Sequence, residues 1–75
     1  MRTVETVIND ILAEVNDKML WAVEYDGIIE FYFYKDPITD VEVEITESDN
    51  YSEMKKNIVS EIISEISYLK RAYLR

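Results

Sequence analysis

The N-terminal part of the chain has apolar residues at helical spacing, separated by polar ones. They recur at intervals of three and four, at Val4, Val7, Ile8, Ile11, Leu12, Val15 and Met19. This spacing places them along one side of an α-helix. Thr3 precedes the pattern and is a favourable residue for capping a helix N-terminus. The sequence therefore predicts a helix over residues 3–18.

The C-terminal part shows the same spacing over a longer stretch. The apolar residues here are Tyr51, Met54, Ile58, Ile62, Ile66, Leu69 and Tyr73. Lys70, Arg71 and Arg75 follow at the end, where positive charges interact favourably with the helix dipole. We predict a second helix over residues 51–73.

Between these helices, Asp26-Gly27 separates two runs of aromatic and β-branched residues. An Asp-Gly pair in this setting is typical of a two-residue β-hairpin turn. Such a turn pairs Val23 with Glu30 on one face of the sheet and Ala22 with Phe31 on the other. The same register pairs Tyr25 with Ile28, Trp21 with Tyr32 and Leu20 with Phe33.

Residues 41–45, with the sequence VEVEI, alternate between apolar and acidic side chains. This alternation predicts a third strand with one face in water, after a loop over residues 36–40. A shift of one residue in the register would bury Glu42 and Glu44, so the register is strongly specified. The predicted register pairs Lys35 with Val41, Phe33 with Val43 and Phe31 with Ile45. It also places Tyr34 next to Glu42 and Tyr32 next to Glu44, so that the two carboxylates form a row on the solvated face.

The predicted fold class is α+β, in a single domain over residues 1–75 with the element order α-β-β-β-α. Two helices on one face of a three-stranded antiparallel sheet are a common way to bury the apolar side of such a sheet. The predicted apolar face consists of Leu20, Ala22, Ile29, Phe31, Phe33, Val41, Val43 and Ile45.

Charge is concentrated in the strand region. Ten of the 16 acidic residues lie between Glu24 and Glu53, together with a single lysine, and the chain has a net charge of −8. Because burying unpaired carboxylates is very unfavourable, these groups must face water or a basic partner. Nucleic acids and anionic membranes attract basic proteins, so we predict that neither is a direct ligand.

We predict that the uncovered sheet face and its loops bind a basic partner protein. Tyrosine and tryptophan supply large, rigid contact areas at protein interfaces. A row of carboxylates competes for the Lys and Arg groups that otherwise neutralise phosphates. The predicted partner-binding residues are Asp26, Glu30, Tyr32, Tyr34, Asp36, Asp40, Glu42 and Glu44.

Other interpretations of these residues stay open at this point. The aromatic residues could simply shield the sheet, and the charges could solubilise the protein and prevent unwanted strand pairing. The C-terminal helix could also cover this face. Asp36, Asp40 and Glu42 could bind Ca²⁺, but the segment lacks the spacing of a calcium-binding loop, so we predict no metal and no cofactor.

The chain contains no His and no Cys. The commonest general base and two common nucleophiles are therefore missing, and we predict that the protein is not an enzyme. The N-terminal sequence is unlike a secretory signal, and the apolar runs are too short to span a membrane, which predicts a cytoplasmic location.

Two short strings and the element order resemble a known family. The N-terminal helix contains residues 8–12 (INDIL), and an acidic segment, residues 47–50 (ESDN), leads from the third strand into a helix. Over roughly residues 5–63 the chain is similar to the small acidic phage anti-CRISPR proteins that inhibit type II-A Cas9 by DNA mimicry.

In that family an acidic surface, which includes the loop between the second and third strands, occupies the site that reads the PAM duplex. The resemblance implies that Asp36 and Asp40, extended by Glu42, take this role here. One departure is the C-terminus, residues 70–75 (KRAYLR), which is basic where the family has a strongly acidic run. Any mimicry must therefore come from the sheet alone.

The sequence favours a small cytoplasmic inhibitor, phage-derived, whose partner is a basic nucleic-acid-handling protein such as the CRISPR effector Cas9. Two alternatives belong to other classes. One is an immunity protein or antitoxin that fills the basic cleft of a toxin. The other is a homo-oligomeric module that associates through Trp21, Tyr32 and Tyr34, so that the protein is either a monomer or a homodimer.

Overall fold

The computed structural model describes residues 2–73 and has the predicted α+β architecture. Its elements in chain order are α1 (Val4–Val15), β1 (Leu20–Tyr25), β2 (Ile28–Phe33), β3 (Asp36–Glu42), a 3₁₀ helix (Val43–Glu47) and α2 (Tyr51–Tyr73). The three strands form one antiparallel sheet in the order β1-β2-β3.

Helix α1 begins and ends at residues that suit those positions. The Thr3 hydroxyl accepts a hydrogen bond from the Thr6 amide at 3.1 Å, as predicted for the N-cap. At the other end Asn16 adopts a left-handed conformation, with φ of 53°, and donates its N–H to the Leu12 carbonyl. Asparagine tolerates this conformation well. The helix therefore ends at Val15, three residues before the predicted end.

The β1–β2 hairpin has the predicted register. Trp21 lies opposite Tyr32, Val23 opposite Glu30, and Ala22 opposite Phe31. The turn residues Asp26 and Gly27 both have positive φ, at 53° and 82°. Two positive φ values are the geometry of a type I′ turn, whose twist matches that of the flanking strands.

The third strand differs from the prediction. It starts at Asp36, directly after a two-residue loop of Tyr34 and Lys35, so the predicted loop over residues 36–40 is wrong. The predicted β2–β3 pairing is wrong as well. The pairs are Ile28 with Glu42, Ile29 with Val41, Glu30 with Asp40, Phe31 with Thr39, Tyr32 with Pro37 and Phe33 with Asp36.

Features near the two ends of β3 explain why the strand and its pairing differ from the prediction. Tyr34 has a φ of 59°, which closes the loop tightly although glycine usually supplies such a conformation. Pro37 lies on the outer strand of the sheet beside a register shift, where no N–H is needed. After Glu42 the chain turns into the 3₁₀ helix, which buries Ile45 and Thr46. Ile45 thus reaches the core, as predicted, but not from a strand.

Both helices lie on the same face of the sheet. The central strand β2 alternates between buried and partly exposed side chains, with Ile29, Phe31 and Phe33 buried. They form one cluster with residues of α1 and α2. The full set of buried apolar residues is Val7, Ile11, Leu20, Ile29, Phe31, Phe33, Ile45, Tyr51, Ile62 and Ile66. Ala22, Val41 and Val43 pack against this cluster. All eight residues of the predicted apolar face therefore reach the core, but Val43 and Ile45 do so from the 3₁₀ helix and not from the sheet.

Tyr51, at the start of α2, joins the helices to each other. Tyr51 is 7% exposed, and its hydroxyl donates a hydrogen bond to the Asp10 carboxylate of α1 at 2.8 Å. The Arg2 guanidinium lies over the ring, 3.9 Å from its centre. Burial and the hydrogen bond to Asp10 raise the pKa of Tyr51 to about 12. The neutral hydroxyl is therefore the form that the folded protein stabilises.

We expect Tyr51→Phe to lower the free energy of unfolding by about 1 kcal/mol, because it removes the hydroxyl and leaves Asp10 without this donor. The matched control is Tyr68→Phe, since the Tyr68 ring is 64% exposed. Urea denaturation measures both. Equal stability of the two variants would contradict a structural role for the hydroxyl.

The Tyr51 hydroxyl should also make the stability of the fold depend on pH. The unfolded tyrosine loses its proton near pH 10, whereas folded Tyr51 keeps it until about pH 12. Its contribution to stability is therefore complete below pH 10 and is lost as the pH rises towards 12. Urea denaturation between pH 9 and pH 12 should show a steeper loss of stability in the wild type than in Tyr51→Phe, and parallel curves would contradict this assignment.

Candidate functional site

One face of the sheet is not covered by either helix, and we call it the open face. It consists of the side chains that alternate with the buried ones along the three strands. These are Trp21, Val23 and Tyr25 of β1, Ile28, Glu30 and Tyr32 of β2, and Asp40 and Glu42 of β3. Trp21 is 42% exposed and Tyr25 is 70% exposed. Because α2 packs on the other face, the alternative in which it covers these residues is wrong.

Three carboxylates of the open face lie close together. Glu30 of β2 is directly opposite Asp40 of β3, and Glu42 follows Asp40 on the same side of β3. Directly opposite residues in a sheet have Cβ atoms about 4.5–5.5 Å apart, and residues i and i+2 of a strand are separated by about 6.6 Å. The sheet therefore holds three negative charges within one small area.

The aromatic residues of the open face adjoin these carboxylates. The rings of Trp21 and Tyr32 are stacked, with centres 4.5 Å apart and planes inclined by 12°. The Trp21 indole N–H donates a hydrogen bond to the Tyr34 carbonyl, which fixes the ring position. The Tyr32 hydroxyl makes a long contact with the Glu30 carboxylate, at 3.4 Å. Partial burial and the charges of Glu30 and Asp40 raise the pKa of Tyr32.

The ion pairs of the described residues lie on the helix side of the protein, away from the open face. Within residues 2–73 there are two ion pairs, Lys55 with Glu14 at 3.3 Å and Lys70 with Asp17 at 2.8 Å. Both connect α2 to α1 or to the segment just after it. The hydrogen bond from Lys70, with a second one from the Met19 amide, lowers the pKa of Asp17. In the described part of the chain, the carboxylates of the open face thus have no ion-pair partner.

A second acidic area lies next to the open face, at the end of the sheet that contains the Asp26-Gly27 turn. Glu44 and Glu47 of the 3₁₀ helix line a shallow depression together with Glu42 and Gly27. Asp26 is at the tip of the adjacent turn and is exposed. Two predicted site residues, Asp26 and Glu44, therefore flank the open face rather than lie on it. Since Glu44 is in the 3₁₀ helix, the predicted strand row of Glu42 and Glu44 is wrong.

Tyr34 and Asp36 belong to a different part of the molecule. The Tyr34 ring lines an apolar cavity with Met19, Phe33, Lys70 and Tyr73, on the helix side of the sheet end. The predicted placement of Tyr34 next to Glu42 is therefore wrong. The carboxylate of Asp36 accepts a hydrogen bond from the Tyr73 hydroxyl of α2. That bond and the nearby charge raise the pKa of Tyr73. Of the eight predicted residues, the open face thus contains Glu30, Tyr32, Asp40 and Glu42.

Sequence reasoning missed two features of this arrangement. The direct opposition of Glu30 and Asp40 depends on the β2–β3 register, which the predicted loop had displaced. The contact between Tyr73 and Asp36 joins residues 37 positions apart, and no local pattern indicates it.

Among residues 2–73 we find neither a cluster that could bind a metal nor a helix that could span a membrane. Within residues 2–73, no group of three or more acidic side chains is arranged so that it could hold a metal ion. None of the described helices is both long enough and apolar enough to cross a membrane.

Comparisons with protein-family models, with curated proteins and with solved structures found no match to this chain.

We expect Glu30→Gln to raise the free energy of unfolding by about 0.5 kcal/mol at low salt, because it relieves the repulsion from Asp40. The effect should shrink at high salt, where surface charges are screened. Glu24→Gln is the matched control, since Glu24 belongs to the same hairpin but lies opposite the neutral Ile29. Equal shifts for both variants in urea denaturation would show that Glu30 and Asp40 do not repel each other.

Proposed function

We propose that this protein is a small acidic inhibitor that binds a basic, nucleic-acid-handling protein through the open face. One observation supports this most strongly. Glu30, Asp40 and Glu42 share an uncovered face without an ion-pair partner in the described residues. A cationic surface would supply the charges that the protein itself does not place there.

The net charge of −8 favours a protein partner over a nucleic acid or an anionic membrane, both of which would be repelled. Proteins that handle nucleic acids present Lys and Arg side chains to phosphates. Clustered carboxylates compete for the same side chains. Binding of this kind blocks access of the nucleic acid without requiring any catalytic group.

The aromatic residues of the open face supply the rest of the interface. The stacked rings of Trp21 and Tyr32 are partly exposed, and the Tyr32 hydroxyl contacts the Glu30 carboxylate. Aromatic residues of this kind often dominate binding energy, while charges provide specificity and speed of association. Association with a second copy of the chain is less favourable. A two-fold interface uses the same patch on both subunits, so it would concentrate uncompensated carboxylates.

A CRISPR effector of the Cas9 type is the first partner to test, because of the resemblance to phage anti-CRISPR proteins. Phage origin and action in the host cytoplasm are parts of the same proposal. The acidic surface of this protein differs from that of the family, since the β2–β3 loop here is Tyr34-Lys35 and is not acidic. Mimicry of the PAM duplex would have to come from Asp40 and Glu42 on the open face, without Asp36.

The test compares two charge reversals on the same strand. Asp40→Lys changes the open face, whereas Asp36→Lys makes the same change on the helix side. Proteins captured from host lysate at low salt, and purified Cas9, are titrated with each variant at several salt concentrations, and displacement of their nucleic acid is measured. Circular dichroism verifies that both variants are folded.

We expect Asp40→Lys to weaken binding by about tenfold or more and to flatten its dependence on salt. Asp36→Lys should retain most of the affinity. Two results would contradict the proposal: an unchanged affinity of Asp40→Lys for the partner, or a partner that binds its nucleic acid equally well in the presence of the wild-type protein.

A further inference from the structure

We propose that the open face selects arginine over lysine, with a guanidinium group of the partner bonded to Glu30 and Asp40 and in contact with the adjoining Trp21–Tyr32 rings. This proposal rests on the proposed function and makes it more specific. The occupant it requires is an arginine-bearing segment of a basic protein.

The geometry of the two carboxylates suits a guanidinium group. Glu30 and Asp40 are direct cross-strand neighbours, so their side chains project from the sheet side by side. Guanidinium is planar and has five N–H donors, which allows it to bond two carboxylates simultaneously. The ammonium group of lysine is a compact charge without this shape. Two adjacent carboxylates therefore favour arginine.

The Trp21 and Tyr32 rings provide a surface on which a guanidinium group can stack. Trp21 and Tyr32 are stacked, and the indole N–H is held by the Tyr34 carbonyl, so the aromatic surface is already fixed before a partner binds. Guanidinium stacks on aromatic rings better than ammonium does, since it is flat and more weakly hydrated. A fixed ring surface loses little conformational entropy upon binding.

The rings and the carboxylates adjoin each other. The Tyr32 hydroxyl contacts the Glu30 carboxylate at 3.4 Å, and Asp40 also acts on this hydroxyl electrostatically. One guanidinium group could therefore meet both kinds of partner. The described part of the chain places none of its own arginine or lysine side chains in ion pairs with Glu30 or Asp40, so both carboxylates are available to a cation from outside.

Fluorescence of Trp21 provides a direct test, because it is the only tryptophan of the chain. The full-length protein is titrated with an arginine homopeptide and with a lysine homopeptide of equal length, at low and at high salt. We expect the arginine peptide to bind about tenfold more tightly than the lysine peptide. The double variant Glu30→Gln/Asp40→Asn should remove this preference, and the control Glu24→Gln should preserve it.

The possible outcomes separate this inference from the proposed function. Equal, salt-sensitive binding of both peptides would overturn arginine selectivity but leave an electrostatic inhibitor intact. An equal loss of preference in Glu24→Gln would overturn the assignment to Glu30 and Asp40. Binding of neither peptide would overturn the arginine proposal, while the titrations of Asp40→Lys and Asp36→Lys would still decide the proposed function.

Discussion

The packing of both helices on a single face of the sheet determines the rest of the structure. Ile29 and Phe31 are fully buried in the central strand, within one cluster that includes Ile11 of α1 and Ile62 of α2. Side chains alternate between the two faces of a strand, so burying these residues forces Glu30 and Tyr32 to the opposite side. The open face is thus a direct consequence of the core. A shift of one residue would exchange the faces and bury Glu30, which the apolar core strongly disfavours.

The charged side chains also differ between the helix layer and the sheet layer. The helix layer holds both ion pairs of the described residues, and Arg2 lies against the ring of Tyr51. These contacts attach α2 to α1 and to the segments beside it, so the positive charges involved stabilise the packing of the two helices. The sheet layer has three adjacent carboxylates on its uncovered side. The strong field of such a cluster would speed association with a cationic protein, and its effect would weaken as salt increases.

Most of the fold could be predicted from the sequence, because its patterns are local. The helical spacing of apolar residues gave both helices, and Asp26-Gly27 gave the first hairpin with its register. The second hairpin could not be predicted in this way. Its loop depends on Tyr34 adopting a positive φ, which a bulky residue rarely does and which no sequence rule indicates. The alternation of residues 41–45 then suggested a strand, although the chain turns into a 3₁₀ helix at Val43.

The candidate site was predictable where it follows from the first hairpin or, for Glu42, from the alternation that starts at Val41. Glu30 and Tyr32 were placed correctly because the β1–β2 register was correct. Asp40 was expected in a loop and lies on a strand of the open face. Tyr34 and Asp36 were misplaced, since their positions depend on long-range contacts near Tyr73 of α2. Contacts between residues so distant in the chain depend on the assembled fold, which local sequence patterns do not describe.

Trp21 shares the open face with the carboxylates of Glu30, Asp40 and Glu42, so it lies on a hydrated surface with strongly negative charge. Fluorescence quenching by caesium and by iodide, at constant low ionic strength and normalised to N-acetyl-tryptophanamide, tests it most directly. A negative face attracts the cation and repels the anion. We expect caesium to quench Trp21 more efficiently than iodide relative to the reference, with a smaller difference in Glu30→Gln/Asp40→Asn. Equal relative quenching by both ions, or no quenching by either, would contradict the account.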